Sequence, residues 1–138
     1  MNILFLCVAN SARSQMAEGL AKSMLGNKHN IQSAGSIPSG EIHPYAIQAM
    51  DDIGIDIRDH NSKSINDLDD HFFNNLDYVI TLCAEEACPS LHAKVKILNW
   101  GLEDPANKKY SEMEQNILFN KSQKAIYQLL KKFILYNL

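Results

Sequence analysis

Cysteine, arginine and proline are scarce in this sequence, and no long apolar run occurs. Three cysteines in 138 residues are too few, and an odd number, for a disulfide framework. No apolar stretch approaches the ~20 residues of a membrane span. Basic residues are not in excess: 13 Lys and Arg face 16 Asp and Glu, for a formal charge of -3. That balance argues against a dedicated nucleic-acid binder. The start, Met1-Asn2 followed by Ile3 to Cys7, lacks the basic region and small-residue cleavage pattern of a secretory signal. The expectation is one cytoplasmic domain over residues 1–138, a usual domain length, with its thiols kept reduced. A hydrophobic content of 46% supplies a core without disulfide staples. Cys7, Cys83 and Cys88 are left with three roles: core packing, a metal site or thiol chemistry.

Apolar patterning places the elements. Ile3 to Leu6 is a continuous apolar run, as in a strand buried on both faces, and it ends at Cys7. Ser14 reads as an N-cap. Met16, Ala17, Leu20, Ala21, Met24 and Leu25 then recur at helical spacing until Gly26-Asn27. Ile31 to Ala34 predicts a second strand. Pro44 opens a helix with Ala46, Ile47, Ala49, Met50 and Ile53 on its apolar face, ended by Gly54. Asp67 to Phe73 reads as a short helix, Tyr78 to Leu82 as the clearest strand, and Lys94 to Leu98 as another. From Glu112 the chain is helical nearly to its end, with Ile117, Ala125, Leu129 and Phe133 on the buried stripe. The alternation predicts a single-domain α/β fold, a four-stranded mostly parallel sheet flanked by helices. Cys7 and Cys83 fall at the C-terminal ends of strands, where such sheets build their sites.

The segment Cys7-Val8-Ala9-Asn10-Ser11-Ala12-Arg13-Ser14 spans a strand-to-helix turn. Successive backbone N–H groups in such a turn form a nest for an anion, and the helix N-terminus adds its positive end. Arg13 can grip two oxygens at once. The same environment favours a thiolate nucleophile at Cys7, and Ser14 can donate to its sulfur. The alternative is a buried strand-end cysteine with a solvated arginine.

Cys7 to Glu18, reading C-V-A-N-S-A-R-S-Q-M-A-E, resembles the active-site loop of the low-molecular-weight protein tyrosine phosphatase superfamily, and most of all the arsenate reductases built on that fold. Ser33-Ala34-Gly35, Pro44, Ala49-Met50, Thr81-Leu82-Cys83, Cys88-Pro89, Trp100-Gly101 and Asp104-Pro105-Ala106 follow in the family's order. The resemblance implies a low-molecular-weight phosphatase-like fold and residues 8–14 as the substrate loop. It also implies arsenate as substrate, with phosphate and sulfate as analogues; no cofactor or metal is expected. The chain is expected to act as a monomer, without nucleic acid or membrane.

Cys83 and Cys88, five positions apart, suggest a thiol relay. Metal binding lacks a second Cys/His pair, since His92 stands alone, and inert core thiols are the other alternative. In a helix their Cα atoms would be roughly 8 Å apart, beyond the ~7 Å a disulfide spans. Pairing them therefore requires a loop, or a segment that changes shape on oxidation. The resemblance implies the order of steps. Cys7 attacks arsenic while Asp104 protonates the departing oxygen. Cys83 attacks Cys7, Cys88 attacks Cys83, and thioredoxin or another dithiol protein restores the thiols. The rival enzyme is a phosphotyrosine phosphatase, which shares Cys7, Arg13 and Asp104 but needs neither Cys83 nor Cys88. A non-enzymatic oxyanion binder is the other rival.

Several positions depart from the family pattern. Ala9 replaces a common glycine, Ala12 replaces a cysteine of many phosphatases, and the Cys83–Cys88 spacing is short. Relatives that bind potassium do so through positions matching Asn10, Glu18 and Ser33 together with an aspartate. Lys63 stands at that last place, so its ammonium is expected to pair with Glu18 and remove any potassium requirement. Ala106-Asn107 after Asp104-Pro105 supplies no aromatic wall for an aryl substrate. His43 is expected as a loop or N-cap residue, and His29, His60, His71 and His92 receive no chemistry. Trp100 is expected to follow a strand and pack in the core, and the apolar C-terminal run to be a docked helix.

Overall fold

The computed structural model describes residues 1–84 and 95–138. Four strands form one sheet: β1 (Asn2–Cys7), β2 (Asn30–Gly35), β3 (Tyr78–Cys83) and β4 (Lys96–Leu102), in the order β2-β1-β3-β4. All three pairings are parallel. The helices are α1 (Arg13–Leu25), α2 (Pro44–Asp51), α3 (Asp70–Asn74) and α4 (Glu112–Asn137). The sheet is thus the four-stranded one expected, parallel at every described pairing.

β1 lies inside the sheet, and its apolar run is covered on both faces. Ile3, Phe5 and Cys7 pack with Met16 and Leu20 of α1, Met50 of α2, and Phe119 and Ile126 of α4. Leu4 and Leu6 point to the other face, against Leu68 and Phe72. The strand period of two sets this division. β3 follows the same alternation, Ile80 and Leu82 on the first face and Val79 on the second, until a register shift between Thr81 and Cys83. Strict alternation would put Cys83 with Val79. The irregularity instead places it in the cluster that holds Cys7, as a bulge does when it re-aims a side chain.

Several element boundaries differ from expectation. Ser14 is not the N-cap of α1. Ala12 holds that position without a side-chain cap, and Ser14 lies inside the helix. α2 ends at Asp51, and Ile53 is 45% exposed because the chain has already turned there. The span Asp67 to Phe73 divides into a 3-10 turn at Ile65–Asp67 and α3. β4 starts at Lys96, and Lys94 lies outside the described residues. Trp100 sits within β4 rather than after it, with Phe5 and Phe133 at ring-centroid distances of 6.2 and 6.4 Å.

On α4 the buried positions are Phe119, Gln123, Ile126, Leu130 and Phe133. Of the expected stripe only Phe133 is fully buried, and Ile117 is 51% exposed. Gln123 belongs to the buried face because its side chain donates to the Ala49 carbonyl at 3.0 Å, tying α4 to α2. No described helix is long and apolar enough to cross a membrane.

Candidate active site

Cys7 ends β1 with a free, buried thiol, and residues 8–12 turn the chain into α1. The carbonyls of this loop are held from outside. Val8 O accepts from Ile37 N at 2.9 Å and Ala9 O from Ser39 N at 3.0 Å. Asn10 O accepts from Gln15 Nε2 at 3.1 Å, and Ser11 O from His43 N at 2.9 Å. In a trans peptide the N–H opposes the C=O. Fixing these four oxygens outward aims the N–H groups of residues 9–12 the other way, as an anion nest requires. The uncapped N-terminus of α1 adds its dipole to the same spot.

Close packing holds the loop to β2. A Cβ on Gly35 would lie 2.4 Å from Val8 O and 3.0 Å from Asn10 N, so only glycine fits there. Asn10 takes φ 49°, the one non-glycine residue with positive φ among those described. Asparagine tolerates that conformation. Ala9 is outside that region, which is why alanine replaces glycine there without backbone strain.

Asn10 is also the hub of a buried hydrogen-bond chain. Its Oδ1 accepts from Lys63 N at 2.9 Å and Gln15 Nε2 at 3.0 Å. Its Nδ2 donates to Ser14 Oγ at 2.8 Å and Ser33 Oγ at 3.0 Å. Ser33 Oγ in turn donates to Glu18 Oε1 at 2.7 Å. Ser14 Oγ lies 2.9 Å from Cys7 Sγ. The donor at Asn10 occupies a Ser14 lone pair and leaves the Ser14 proton for the sulfur. The chain therefore presents the Ser14 hydroxyl to the Cys7 sulfur.

Glu18 anchors the far end of this chain. Its carboxylate meets Lys22 Nζ at 2.7 Å, His60 Nδ1 at 3.3 Å and Lys63 Nζ at 3.9 Å. Burial alone would raise its pKa, but Lys22, His60 and Ser33 outweigh burial and hold the carboxyl below its ordinary value. Burial lowers the pKa of Lys63 and of His60, with Glu18 opposing in both. Lys63 thus lies beside Glu18, as its place in the sequence suggested. His60 had been given no role, yet its Nδ1 also meets Gln15 Oε1 at 3.0 Å. No spacing signal marks it, because its partners are 42 and 45 positions away and meet it only in the fold.

The remaining residues come from neighbouring strand ends. Arg13 is 4% exposed, and its Nη1 donates to the Leu102 carbonyl at 2.8 Å. The same carbonyl accepts from Ala84 N, the residue after Cys83, at 3.1 Å. Cys83 is buried. Asp104 follows β4, and its Oδ1 accepts from Ala106 N at 2.9 Å, the local turn bond expected of an aspartate there. The Asp104 carboxylate opposes the lowering of the His43 pKa by burial. Cys88 and His92 lie outside the described residues.

Comparison with known proteins agrees with this geometry. Residues 2–135 match the family model of low molecular weight phosphotyrosine protein phosphatases. A protein named arsenate reductase from Staphylococcus xylosus is 46% identical over 115 residues, covering 82% of this chain and 85% of that one. A solved arsenate reductase in a phosphate-binding state superposes with a TM-score of 0.78 at 30% identity, covering 96% and 95% of the two chains. A thioredoxin-dependent arsenate reductase from Corynebacterium glutamicum gives a TM-score of 0.68 at 30% identity, covering 96% of this chain and 61% of that one. With its nucleophile loop, parallel sheet and near full-length match, the chain belongs to the low-molecular-weight phosphotyrosine protein phosphatase family.

Proposed function

We propose that this protein reduces arsenate to arsenite. The observation that carries the reading is the loop of residues 8–14 wrapped around a hydrogen-bonded Cys7 thiol, with Cys83 turned into the same cluster. A phosphatase needs the first feature and has no use for the second. Two similarities add support: the relatives named arsenate reductase, and the solved neighbour described as thioredoxin-dependent.

In this mechanism arsenate settles on the N–H groups of the loop, and Arg13 grips two of its oxygens. The Cys7 thiolate attacks arsenic. One arsenic–oxygen bond breaks, and Asp104 gives its proton to the departing oxygen. Cys83 then attacks the Cys7 sulfur. The sulfur–arsenic bond breaks, its electron pair stays on arsenic, and arsenic passes from the +5 to the +3 state as arsenite leaves. Cys88 attacks Cys83, which frees Cys7 and moves the disulfide to Cys83–Cys88. A dithiol protein of the thioredoxin class takes that disulfide as its own and restores both thiols.

The experiment is arsenate turnover with a thioredoxin system, together with thiol counting after one cycle. Cys88→Ser is expected to stop after a single turnover while still hydrolysing an aryl phosphate. Cys7→Ser loses both activities. Equal steady-state arsenate turnover by wild type and Cys88→Ser would reject the relay, and oxyanion binding without turnover in the wild type would reject the enzyme.

A further inference from the structure

The charge on α4 is opposite in sign to that of the rest of the molecule. From Gln115 to Leu138 the sequence holds Lys121, Lys124, Lys131 and Lys132 and no aspartate or glutamate. The formal charge of -3 is therefore +4 over this segment and -7 over residues 1–114. All four lysines are exposed. Among the described residues none of them has an ion-pair partner, whereas Lys22, Lys63 and Lys109 each meet a glutamate.

The lysines stand on the side of α4 turned away from the core. The buried side is Phe119, Gln123, Ile126, Leu130 and Phe133. At 3.6 residues per turn the opposite side runs through Ile117, Lys121, Lys124, Gln128, Lys131 and Leu135. Its two ends are apolar and exposed, Ile117 at 51% and Leu135 at 74%. Lys131 and Lys132 precede Leu135 by four and three positions, so both flank it on the helix surface. Together with Tyr136 they line a shallow cleft of about 430 Å³.

An occupant of this face must be anionic and must also accept apolar side chains. A second copy fits poorly. An antiparallel pairing that matches Ile117 with Leu135 also sets Lys121 against Lys131, and opposed like charges are costly. A bilayer with anionic head groups meets both demands at every point. Its phosphates attract the ammonium groups, and its acyl boundary takes Leu135 and Tyr136 while the lysine stems lie along it. Four lysines on one helix face are enough for that attraction.

We propose that the outer face of α4, from Lys121 to Tyr136, docks on an anionic lipid surface. The expectation of no membrane contact rests on the lack of a spanning run, which says nothing of a helix lying along the surface. Tyr78, the first residue of β3, meets Phe133 and Asn137 near this end of α4. Cys7 and Cys83 end their strands at the other edge of the sheet, so docking leaves the anion loop open to solvent.

The test is co-sedimentation of the full chain with vesicles of phosphatidylcholine alone or in equal mixture with phosphatidylglycerol. Binding to the mixed vesicles only is expected, with release as salt rises from about 0.05 to about 0.5 M. Lys131→Gln with Lys132→Gln should weaken binding about 30-fold. Lys28→Gln with Lys108→Gln removes the same charge from exposed positions elsewhere and should weaken it less than about threefold. Leu135→Ser leaves the charge unchanged and should weaken it roughly fivefold. These side chains are exposed, and the melting temperature checks that each variant is folded. No binding to mixed vesicles at low salt overturns the proposal, as do equal losses for the two lysine pairs. Binding indifferent to Leu135→Ser overturns it in favour of a purely charged partner. Self-association in sedimentation velocity without lipid, abolished by Leu135→Ser, overturns it in favour of a second copy.

Discussion

Gly35→Ala adds one methyl group to the tightest point between the sheet and the anion loop. The new Cβ would sit 2.4 Å from Val8 O, 3.0 Å from Asn10 N and 3.1 Å from Asn10 Cβ. No rotamer change relieves this, because two of the three atoms are backbone. Val8 O is held by Ile37 N at 2.9 Å, and Gly35 N is held by Lys63 O at 2.9 Å, so each side is pinned. The loop and β2 must separate by several tenths of an ångström. Overpacking of this kind costs about 2–3 kcal/mol. For a domain of this size that corresponds to a melting temperature lower by about 6–12 °C. Moving Val8 and Asn10 also spoils the nest, so phosphate affinity should fall by roughly tenfold or more. Scanning calorimetry with and without phosphate reads both effects. Gly101→Ala is the control, since its Cβ would meet nothing closer than Asn99 Oδ1 at 3.6 Å. A Gly35→Ala protein with wild-type melting and phosphate binding would refute the claim that this contact sets the loop.

Two further predictions concern Glu18. With Lys63 beside the carboxylate, the melting temperature and arsenate turnover should be the same in potassium and sodium chloride at equal ionic strength, and a gain specific to potassium would contradict the tethered-ammonium reading. The Glu18 carboxyl is held below its usual 4.5, so its contribution to stability is complete above that value and is lost as pH falls through the lowered one. Glu18→Gln should therefore cost roughly 1.5–3 kcal/mol at neutral pH and progressively less in acid. Urea unfolding at two pH values measures the difference, and a deficit independent of pH would be the contrary result.

The sequence was most informative where one residue type serves one purpose. The apolar runs before Cys7 and Cys83 could only be buried strands, and the Cys7–Arg13 spacing could be read across a turn. α4 was harder to orient. It carries apolar residues around much of its circumference, with Met113, Ile117, Leu135 and Tyr136 all exposed, and one of its buried positions is a glutamine. The hydrophobic period therefore has no single phase along it. The Cys83 register shift was not legible either, since it arises from pairing with β4 rather than from local preference. His60 lies in the same category: an ordinary polar residue in sequence, it meets its partners only in the fold. His43, by contrast, is the N-cap of α2 that its place before Pro44 suggested.

The Leu102 carbonyl gives two movements a shared safeguard. Arg13 and Ala84 both donate to this one oxygen, from opposite partners in the proposed chemistry: the group that would hold the oxyanion and the strand end that carries Cys83. A carbonyl oxygen with two donors can lose either and still be satisfied. Arg13 can turn toward a substrate without orphaning a half-buried acceptor, because Ala84 keeps it. Ala84 can likewise give up its bond at the same low cost, because Arg13 keeps the oxygen. The two displacements are inexpensive one at a time and expensive together, since losing both donors strips the oxygen at once. A doubly bonded atom of this kind makes the protein favour taking its steps in turn.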